Sequence, residues 1–508
     1  MSHEESDILI IGGGAAGLAA AVKASEEGAS TILIEKEVNL GGSTLLAVGS
    51  ITAAETILQE KARIKDTPEL FFEDLKKAAD LLGLSNRFID DQEMFKLYSR
   101  EAGRTVNWLI GLGLTFHGPM IEAPHSLPRM HNIIPSSLAY INILRKKAES
   151  NGVKIMLGLK AEELLLEDNR VGGVRGKSVD GNEFNIKSKA VIIATGNYSS
   201  NYELKSIALG EQVAKIEGIN PKATGDGILL GMKIGADIKN MDVMIWCPEI
   251  RFIQYKGELL PKFLAKGELP KFINLLLKIL PKSILTGYIV KLASIHTAPS
   301  LKIFEEGAIL INKNGKRFVD EINVMRKLAI EANKQPDGEV FILFDEKIAK
   351  KFNEWPYYIS TFPGIAYAYL ADYERHRKDV FTKVRDLDEL STRGIDTSNL
   401  KKTIAEYNEF VKIGRDISTG KSRLPTMIDT APYYCLGPLK PYITVTEGGL
   451  RINTKCQVIN KRGQIIKGLY AVGDSSAGPL AVTHGIHIGW ALTSGRIAAE
   501  WAIKEEVR

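Results

Sequence analysis

The chain has 508 residues, of which 44% are hydrophobic and 25% are charged, and its formal net charge is +5. This length predicts two or more domains, and the composition is that of an ordinary folded protein. The mild charge and the absence of runs that mix basic and aromatic residues argue against nucleic acid as a partner.

The N-terminus and the cysteines indicate the compartment. The short polar start MSHEE predicts no signal peptide. No apolar run reaches the length of about 18 residues that predicts a membrane-spanning helix. Cys247, Cys435 and Cys456 are too dispersed for a metal or redox pair and odd in number for a disulfide framework. We therefore expect a cytoplasmic protein without a metal site.

The first predicted elements are a strand, a glycine turn, a helix and a second strand, in residues 6–37 (SDILIIGGGAAGLAAAVKASEEGASTILIEKE). Gly12, Gly14 and Gly17 have the G-x-G-x-x-G spacing. The first glycine allows a tight turn, the second lets the backbone approach a pyrophosphate, and the third lets helix and strand pack closely. This segment predicts dinucleotide binding.

Residues beside the glycines complete this pattern. Ala15 and Ala16 open the helix, whose N-terminal N–H groups would face the phosphates. The second strand, TILIE, ends at Glu35, which is placed to accept hydrogen bonds from ribose hydroxyls.

A second glycine-rich turn follows, with the sequence NLGGSTLLAVGS. Its backbone N–H groups and hydroxyls could bind a flat polar ring, although a flexible loop is the alternative. The rest of the chain holds no second copy of the G-x-G-x-x-G fingerprint, which favours one bound dinucleotide.

Five further segments, in this order and spacing, resemble the fumarate reductase/succinate dehydrogenase flavoprotein superfamily. They are AVIIATGNY (190–198), TGDGILLGMKIGAD (224–237), GAILINKNGKRFVDE (307–321), GLYAVGDSSAG (468–478) and GIHIGWALTSGRIAAEWA (485–502). The resemblance implies an α/β fold. A discontinuous Rossmann-type FAD-binding domain would carry an α+β capping domain, with FAD as the cofactor.

The resemblance also implies how FAD is held. Asp474 would bind the ribityl chain, and the helix that starts near Ile486 would aim its positive N-terminus at the N1–C2=O edge of the flavin. The residues predicted to bind the cofactor are Gly12, Gly14, Ala15, Ala16, Gly17, Glu35, Lys36, Gly41, Gly42, Ser43, Thr44, Gly49, Ala161, Ala194, Thr195, Gly196, Asn197, Asp226, Gly473, Asp474 and Gly489.

The predicted domains are an FAD-binding domain in two parts, 1–235 and 431–508, and a capping or substrate domain, 236–430. Within the cap, residues 256–294 form a basic apolar insert with seven lysines against two glutamates. Basic amphipathic helices can lie in the headgroup layer of a membrane. The insert therefore predicts either peripheral contact with the inner face of the membrane or a wall of the cap or an oligomer interface.

Two positions bear on the substrate. Dicarboxylate-reducing members of the superfamily clamp their substrate with a histidine and an arginine, and this chain has Val445 and Ile486 there. NMDVMIWCPEI (240–250) and THGIHIGWALTSG (483–495) are instead similar to the 3-ketosteroid dehydrogenase branch, although Ala481 stands where that branch places its catalytic tyrosine. The predicted substrate is therefore a lipophilic, 3-ketosteroid-like carbonyl compound. The alternative is a fumarate reductase-like reductase of an unsaturated organic acid.

Hydride transfer at flavin N5 requires a partner that moves a proton and a group that polarises the carbonyl. The candidates are His484, Arg326, Tyr442, His296 and Arg129. His484 is the first choice, with a structural cap as its alternative. His487, three residues later, is interpreted as a packing residue.

The expected partners are a small lipophilic substrate, an external electron donor or acceptor such as a quinone or a redox protein, and a membrane surface. A third function also stays open. The chain could be a flavin-bearing electron-transfer subunit without a substrate site of its own.

Overall fold

The computed structural model of the chain describes residues 2–253, 290, 294, 298–362 and 366–508. The chain divides into two units, which are residues 1–245 with 444–508, and residues 246–443. The domain boundaries predicted from the sequence, 235/236 and 430/431, stay a prediction. Most of the basic insert, 256–294, and the candidate His296 lie outside the described residues.

The described strands and helices are numbered here in chain order. The strands are β1 (Ser2–Ile11), β2 (Thr31–Glu35), β3 (Ser50–Thr52), β4 (Thr115–Met120), β5 (Met130–Ile134), β6 (Lys154–Leu157), β7 (Leu159–Glu167), β8 (Arg170–Ser178), β9 (Glu183–Ile193), β10 (Ile238–Lys239), β11 (Glu249–Phe252), β12 (Ile309–Asn312), β13 (Val340–Asp345), β14 (Ser360–Phe362), β15 (Ala366–Ala368), β16 (Phe381–Val384), β17 (Tyr433–Tyr442), β18 (Gly449–Leu450), β19 (Gln457–Ile459) and β20 (Ile465–Ala471). The helices are α1 (Ala15–Glu26), α2 (Ile57–Lys61), α3 (Pro68–Leu81), α4 (Ser85–Asp90), α5 (Gln92–Gly111), α6 (Leu138–Ser150), α7 (Tyr202–Leu209), α8 (Glu211–Ala214), α9 (Asp226–Lys233), α10 (Lys302–Glu305), α11 (Met325–Asn333), α12 (Glu346–Lys351), α13 (Leu370–His376), α14 (Thr397–Ile413) and α15 (Ile486–Ala502).

The central sheet of the first unit has the strand order β19-β20-β9-β1-β2-β6, with β7 and β8 attached beside β9. Strand β1 runs parallel to both β2 and β9, and β20 runs parallel to β9. Residues Ile8 to Ile11 are at most 4% exposed, as expected for a strand covered on both faces. The predicted α/β fold, in which the C-terminal segment returns to the N-terminal sheet, is confirmed.

Helices α1 and α15 bring the two ends of the chain together on this sheet. A Cβ atom added to Gly495 would lie 2.3 Å from the backbone oxygen of Ala16. Only a residue without a side chain allows so close an approach. The alanine-rich face of α1 and Gly495 of α15 therefore let the two helices pack with their backbones nearly touching.

A smaller sheet in the same unit, with the order β3-β5-β4, supports the segment before α15. The hydroxyl of Thr52 donates a hydrogen bond of 2.7 Å to the backbone oxygen of His484. The buried Tyr98 hydroxyl donates to the backbone oxygen of Thr52 at 2.8 Å and lies 3.3 Å from that of Gly485. The turn at His484 is thus fixed to β3.

The second unit is built around the antiparallel sheet β11-β17-β13-β12, with β16 paired to β17. Helix α14 starts at Thr397, and Asp396 caps it by accepting a hydrogen bond from the N–H of Asn399 at 3.0 Å. Within the residues that the structure describes, no helix has the length and apolar character needed to cross a membrane.

Candidate functional site

The glycine turn after β1 has no room for a side chain at Gly12 or at Gly17. Gly12 has φ +110°, and a Cβ atom there would lie 2.4 Å from the backbone oxygen of Ala194. A Cβ atom on Gly17 would lie 1.9 Å from the backbone oxygen of Gly12. Near Gly14 the nearest groups are the hydroxyl of Thr44 at 3.8 Å and the oxygen of Gly41 at 3.9 Å, which leaves space above the turn.

Glu35 holds the glycine turn from the end of β2. Its Oε2 atom accepts a hydrogen bond of 2.8 Å from the N–H of Gly13, and its Oε1 atom accepts one of 2.9 Å from the N–H of Glu37. The neighbouring Lys36 donates to Asp226 at 2.8 Å. Burial opposes ionisation of Asp226, but Lys36 outweighs it and lowers the pKa of this carboxyl.

The second glycine-rich turn lies against the start of α1. The N–H of Ala15 donates to the Thr44 hydroxyl at 3.1 Å. Ser43 accepts a hydrogen bond of 2.8 Å from Asn220. Gly41 and Gly42 have φ values of +127° and +49°, which suit glycine. The two glycine-rich turns predicted from the sequence therefore form one continuous backbone cradle, and Gly49 lies beyond them with φ +90°.

Ser475 joins the turn after β9 to the turn after β20. Its hydroxyl accepts a hydrogen bond of 2.8 Å from the N–H of Gly196 and lies 3.2 Å from the hydroxyl of Thr195. Asn197 donates to Asp474 at 3.4 Å. The predicted cofactor residues of the middle segment and of the C-terminal segment thus meet at one edge of the sheet, whereas Ala161 is buried within β7.

A recess opens beside these turns and the first turn of α15. It is lined by Thr446, Glu447, Gly448, Gly473, Asp474, Ser476, Gly478, Pro479, His487 and Trp490. The imidazole of His487 lies between two carboxylates: its Nδ1 atom is 3.1 Å from Asp474 Oδ1, and its Nε2 atom is 3.3 Å from Glu447 Oε1. Burial by itself would lower the pKa of His487, but the two carboxylates outweigh it and hold this pKa well above its usual value.

His484 forms a second imidazole–carboxylate pair on the same segment. Its Nδ1 atom contacts Oε1 of Glu122, whose side chain is 11% exposed, while the His484 side chain is 54% exposed. The carboxylate fixes the orientation of a ring that remains accessible. This is the arrangement needed for a residue that transfers a proton to a bound molecule.

Arg129, another candidate, is fully buried. Its guanidinium donates to both oxygens of Asp66 at 2.7 Å and also contacts Asp74. Because these two carboxylates occupy its donors, a catalytic role is not supported, and its function in the fold is to neutralise them. The sequence could not reveal this, since Asp66 and Asp74 have no distinctive spacing relative to Arg129.

The remaining candidates are Tyr442, Arg326 and His296. Tyr442 ends β17 and is half-buried, and Arg326 is exposed on α11, so both belong to the second unit. His296 is outside the described residues.

Gly489 has a structural reason to be glycine, since a Cβ atom there would lie 2.0 Å from the Tyr98 hydroxyl. The individual site roles stay predictions.

Three functional candidates carry almost no sequence signal. Glu122 and Ser475 stand in segments without a recognisable charge pattern, and Glu447 is marked only by its place before the Gly448–Gly449 turn. His487 is predicted as a packing residue, yet its two ring nitrogens face carboxylates. Spacing along the chain cannot reveal such a pairing.

The cradle fits a dinucleotide. Helix α1 begins directly after Gly14, and a helix N-terminus offers backbone N–H groups from which a pyrophosphate could accept hydrogen bonds. The side chains of Glu35 and Asp474 stand at the two ends of the cradle, where hydroxyl groups of a bound dinucleotide could donate to them. Among the described residues, no group of three histidine, cysteine or acidic side chains is arranged to hold a metal ion.

A parallel sheet closed by the returning C-terminus, with a glycine turn at the N-terminus of its first helix, defines the class of dinucleotide-binding oxidoreductases. The FAD binding domain family matches residues 7–261 and 292–486, and the chain belongs to this family. It is a flavoprotein of the fumarate reductase/succinate dehydrogenase superfamily, and its cofactor is FAD.

Known relatives cover almost the whole chain. The chain is 28% identical over 510 residues to a fumarate reductase (cytochrome) of Shewanella frigidimarina, with 99% of this chain and 78% of that protein covered. It is 26% identical to the urocanate reductase of Eggerthella lenta, with 92% of this chain and 70% of that protein covered.

Solved structures share the fold. The open conformation of a flavocytochrome c3 fumarate reductase matches with a TM-score of 0.75 at 24% identity. The match covers 99% of this chain and 79% of the fumarate reductase chain. The 3-ketosteroid Δ1-dehydrogenase of Sterolibacterium denitrificans matches with a TM-score of 0.64 at 18% identity. The match covers 99% of this chain and 100% of the dehydrogenase chain. The superfamily prediction is confirmed, whereas the narrower resemblance to the 3-ketosteroid branch stays a prediction. The relatives and structures found include fumarate reductases, a urocanate reductase and a 3-ketosteroid dehydrogenase, so they do not single out the 3-ketosteroid branch.

Proposed function

We propose that this protein is an FAD-dependent reductase of the C=C bond of an unsaturated organic acid, and that His484 donates the proton. The reduced cofactor would supply a hydride to the β-carbon. The protein must then deliver one proton to the α-carbon, and an accessible imidazole is the side chain best suited to this task near neutral pH.

The observation that carries the proposal is the pair of His484 and Glu122. The contact at Nδ1 orients the ring while the ring itself remains accessible to a bound molecule. The backbone of His484 is held by Thr52 and that of Gly485 approaches Tyr98. A proton donor on so firmly held a turn would keep its position relative to a bound substrate.

The relatives favour an acid over a steroid. The two relatives described above are named for fumarate and urocanate, which are both unsaturated acids, and they match this chain over 99% and 92% of its length. The name of the first relative includes a cytochrome, which supports an external redox protein as the electron donor of this chain.

A second candidate is a reductase or dehydrogenase of a lipophilic, 3-ketosteroid-like enone. Val445 and Ile486 favour it, because neither can bind a carboxylate where dicarboxylate reductases carry a histidine and an arginine. Ile486 is only 1% exposed. An acid substrate would therefore need a cationic partner other than these two positions.

The location stays a proposal. We propose that the protein is cytoplasmic and that the basic insert, 256–294, brings it to the inner face of the membrane. The seven lysines of that insert support this. Co-sedimentation with vesicles that contain anionic lipids, compared with neutral vesicles, tests the proposal.

The decisive experiment uses the holoprotein reduced with a stoichiometric amount of dithionite under anaerobic conditions. Fumarate, acrylate, urocanate and a sterol enone are added separately, and reoxidation of the flavin is followed by its absorbance. We expect one of the acids to reoxidise the flavin and to yield the saturated product. Reoxidation by the enone alone would establish the second candidate, and no reoxidation by any compound would indicate an electron-transfer subunit.

Variants then test the proton donor. His484→Ala should slow reoxidation by the active acid about 100- to 10,000-fold, the usual contribution of a general acid. The exposed His117 lies on β4, and His117→Ala is the matched control with an unchanged rate. Equal rates for His484→Ala and the unmodified protein would exclude this role.

A further inference from the structure

His487 is the centre of a charge cluster that the proposed proton transfer does not use. The cluster consists of the His487 imidazole with Asp474 on one side and Glu447 on the other. Glu447 is 6% exposed, and its Oε2 atom also accepts a hydrogen bond of 3.4 Å from the N–H of Ala481. Two carboxylates and one imidazole thus share a single recess.

The cluster faces the part of the cradle that FAD would occupy. Asp474, which contacts His487 through Oδ1, also accepts a hydrogen bond from Asn197 through Oδ2. Asp474 and Asn197 are both predicted cofactor residues. His487 itself lies in the first turn of α15, the helix whose N-terminus is expected to point at the flavin.

Without the His487 imidazole, the recess would hold two negative charges, those of Asp474 and Glu447, and no cation between them. When FAD accepts two electrons and takes up one proton, it becomes more negative by one unit. The buried Glu447 and the partly buried Asp474 beside it would oppose this change, because like charges repel more strongly where water is largely excluded. With a cation between them, the two carboxylates oppose the reduction of FAD far less. The partial positive charge at the start of α15 also favours the reduction.

We propose that the His487 imidazolium, held between Asp474 and Glu447, sets the reduction potential of bound FAD by neutralising these carboxylates. His487 is then a positioning and electrostatic residue. It takes no part in proton transfer to the substrate. The proposal rests on FAD binding and is independent of which compound the protein reduces.

The test measures the midpoint potential of FAD in the holoprotein at pH 7 by anaerobic dye equilibration, without any substrate. His487→Gln keeps polar atoms near both carboxylates but removes the charge. We expect the equilibrium constant for two-electron reduction to fall about tenfold, which lowers the potential by about 30 mV. Glu447→Gln removes one negative charge and should raise the potential by a similar amount.

Potential shifts of opposite sign in the two variants distinguish an electrostatic effect from general damage to the site. General damage would shift both potentials in the same direction. His117→Gln is the control, because His117 is exposed on β4, and it should leave the potential unchanged. An unchanged potential in His487→Gln, or shifts of the same sign in both variants, would overturn the proposal. If His487→Gln loses FAD, Glu447→Gln alone decides: a raised potential supports the proposal and any other result contradicts it.

Discussion

The Ser475 hydroxyl accepts a hydrogen bond of 2.8 Å from the backbone N–H of Gly196, although 279 residues separate them in the chain. The two residues follow the parallel strands β20 and β9, whose carboxyl ends meet at the same edge of the sheet. Ser475 is fully buried. This bond links the turn that the C-terminal segment contributes to the cradle with the turn from the middle of the chain.

Ser475→Ala should therefore weaken both the fold and FAD binding. The substitution leaves the N–H of Gly196 without its acceptor, and an unsatisfied buried donor costs about 1–3 kcal/mol. Urea unfolding of the holoprotein and the dissociation constant of FAD are the measurements. Ser150→Ala is the control, since Ser150 is exposed and its hydroxyl donates to the backbone oxygen of Lys147 in its own helix. Equal FAD affinities for the two variants would contradict the linking role.

Arg129→Met should destabilise the protein by about 3–5 kcal/mol, because it leaves the carboxylates of Asp66 and Asp74 buried without their partner. The free energy of unfolding is measured by denaturant titration. Arg104→Met changes an arginine on the surface, paired only with Glu101, and should cost less than about 1 kcal/mol. A variant with normal stability but no activity would instead restore Arg129 as a catalytic candidate.

Gly489→Ala should destabilise the protein by about 1–3 kcal/mol, because the new methyl group would overlap the hydroxyl of the fully buried Tyr98. Tyr98→Phe removes that oxygen, so the double variant should be more stable than the sum of the two single changes predicts. Gly111→Ala is the matched control. That glycine is the last residue of α5 with open space around it, and the change should be neutral or slightly stabilising. Simple additivity in the double variant would show that the overlap is not the cause.

His487 should make the stability of the protein depend on pH. Glu447 and Asp474 raise the pKa of His487 in the folded state. Its contribution to the free energy of unfolding is therefore complete below the pKa of the unfolded state, about 6.5, and disappears as pH rises through the pKa of the folded state. The stability difference between the unmodified protein and His487→Gln should thus be constant below pH 6.5. Above it, the difference should shrink by up to about 1.4 kcal/mol per pH unit.

Unfolding of both proteins at a fixed FAD concentration, from pH 5.5 to 9, measures this difference without a change in ligand linkage. His117→Gln should show no such trend. A difference that grows as pH rises to about 6.5 and is constant above it would mean that His487 is neutral in the folded protein, which contradicts the carboxylate cage.

The amino-acid sequence by itself determined the start of the central sheet and the glycine turn. The apolar run Ile8–Ile11 and the spacing of Gly12, Gly14 and Gly17 act within a few residues, and local geometry limits what such a pattern can form. The resemblance of the later segments to the flavoprotein superfamily implied that the C-terminus returns to this sheet, and that prediction is confirmed.

Only the tertiary structure decided what several polar side chains do. Arg129 is neutralised by buried aspartates, His487 lies between Glu447 and Asp474, and His484 contacts Glu122. The pairings of Arg129 and His484 join segments that are far apart in the chain, whereas His487 lies 13 residues from Asp474. The energy of a charge in a protein depends on its burial and on its nearest partners in space, and the linear order of residues specifies neither.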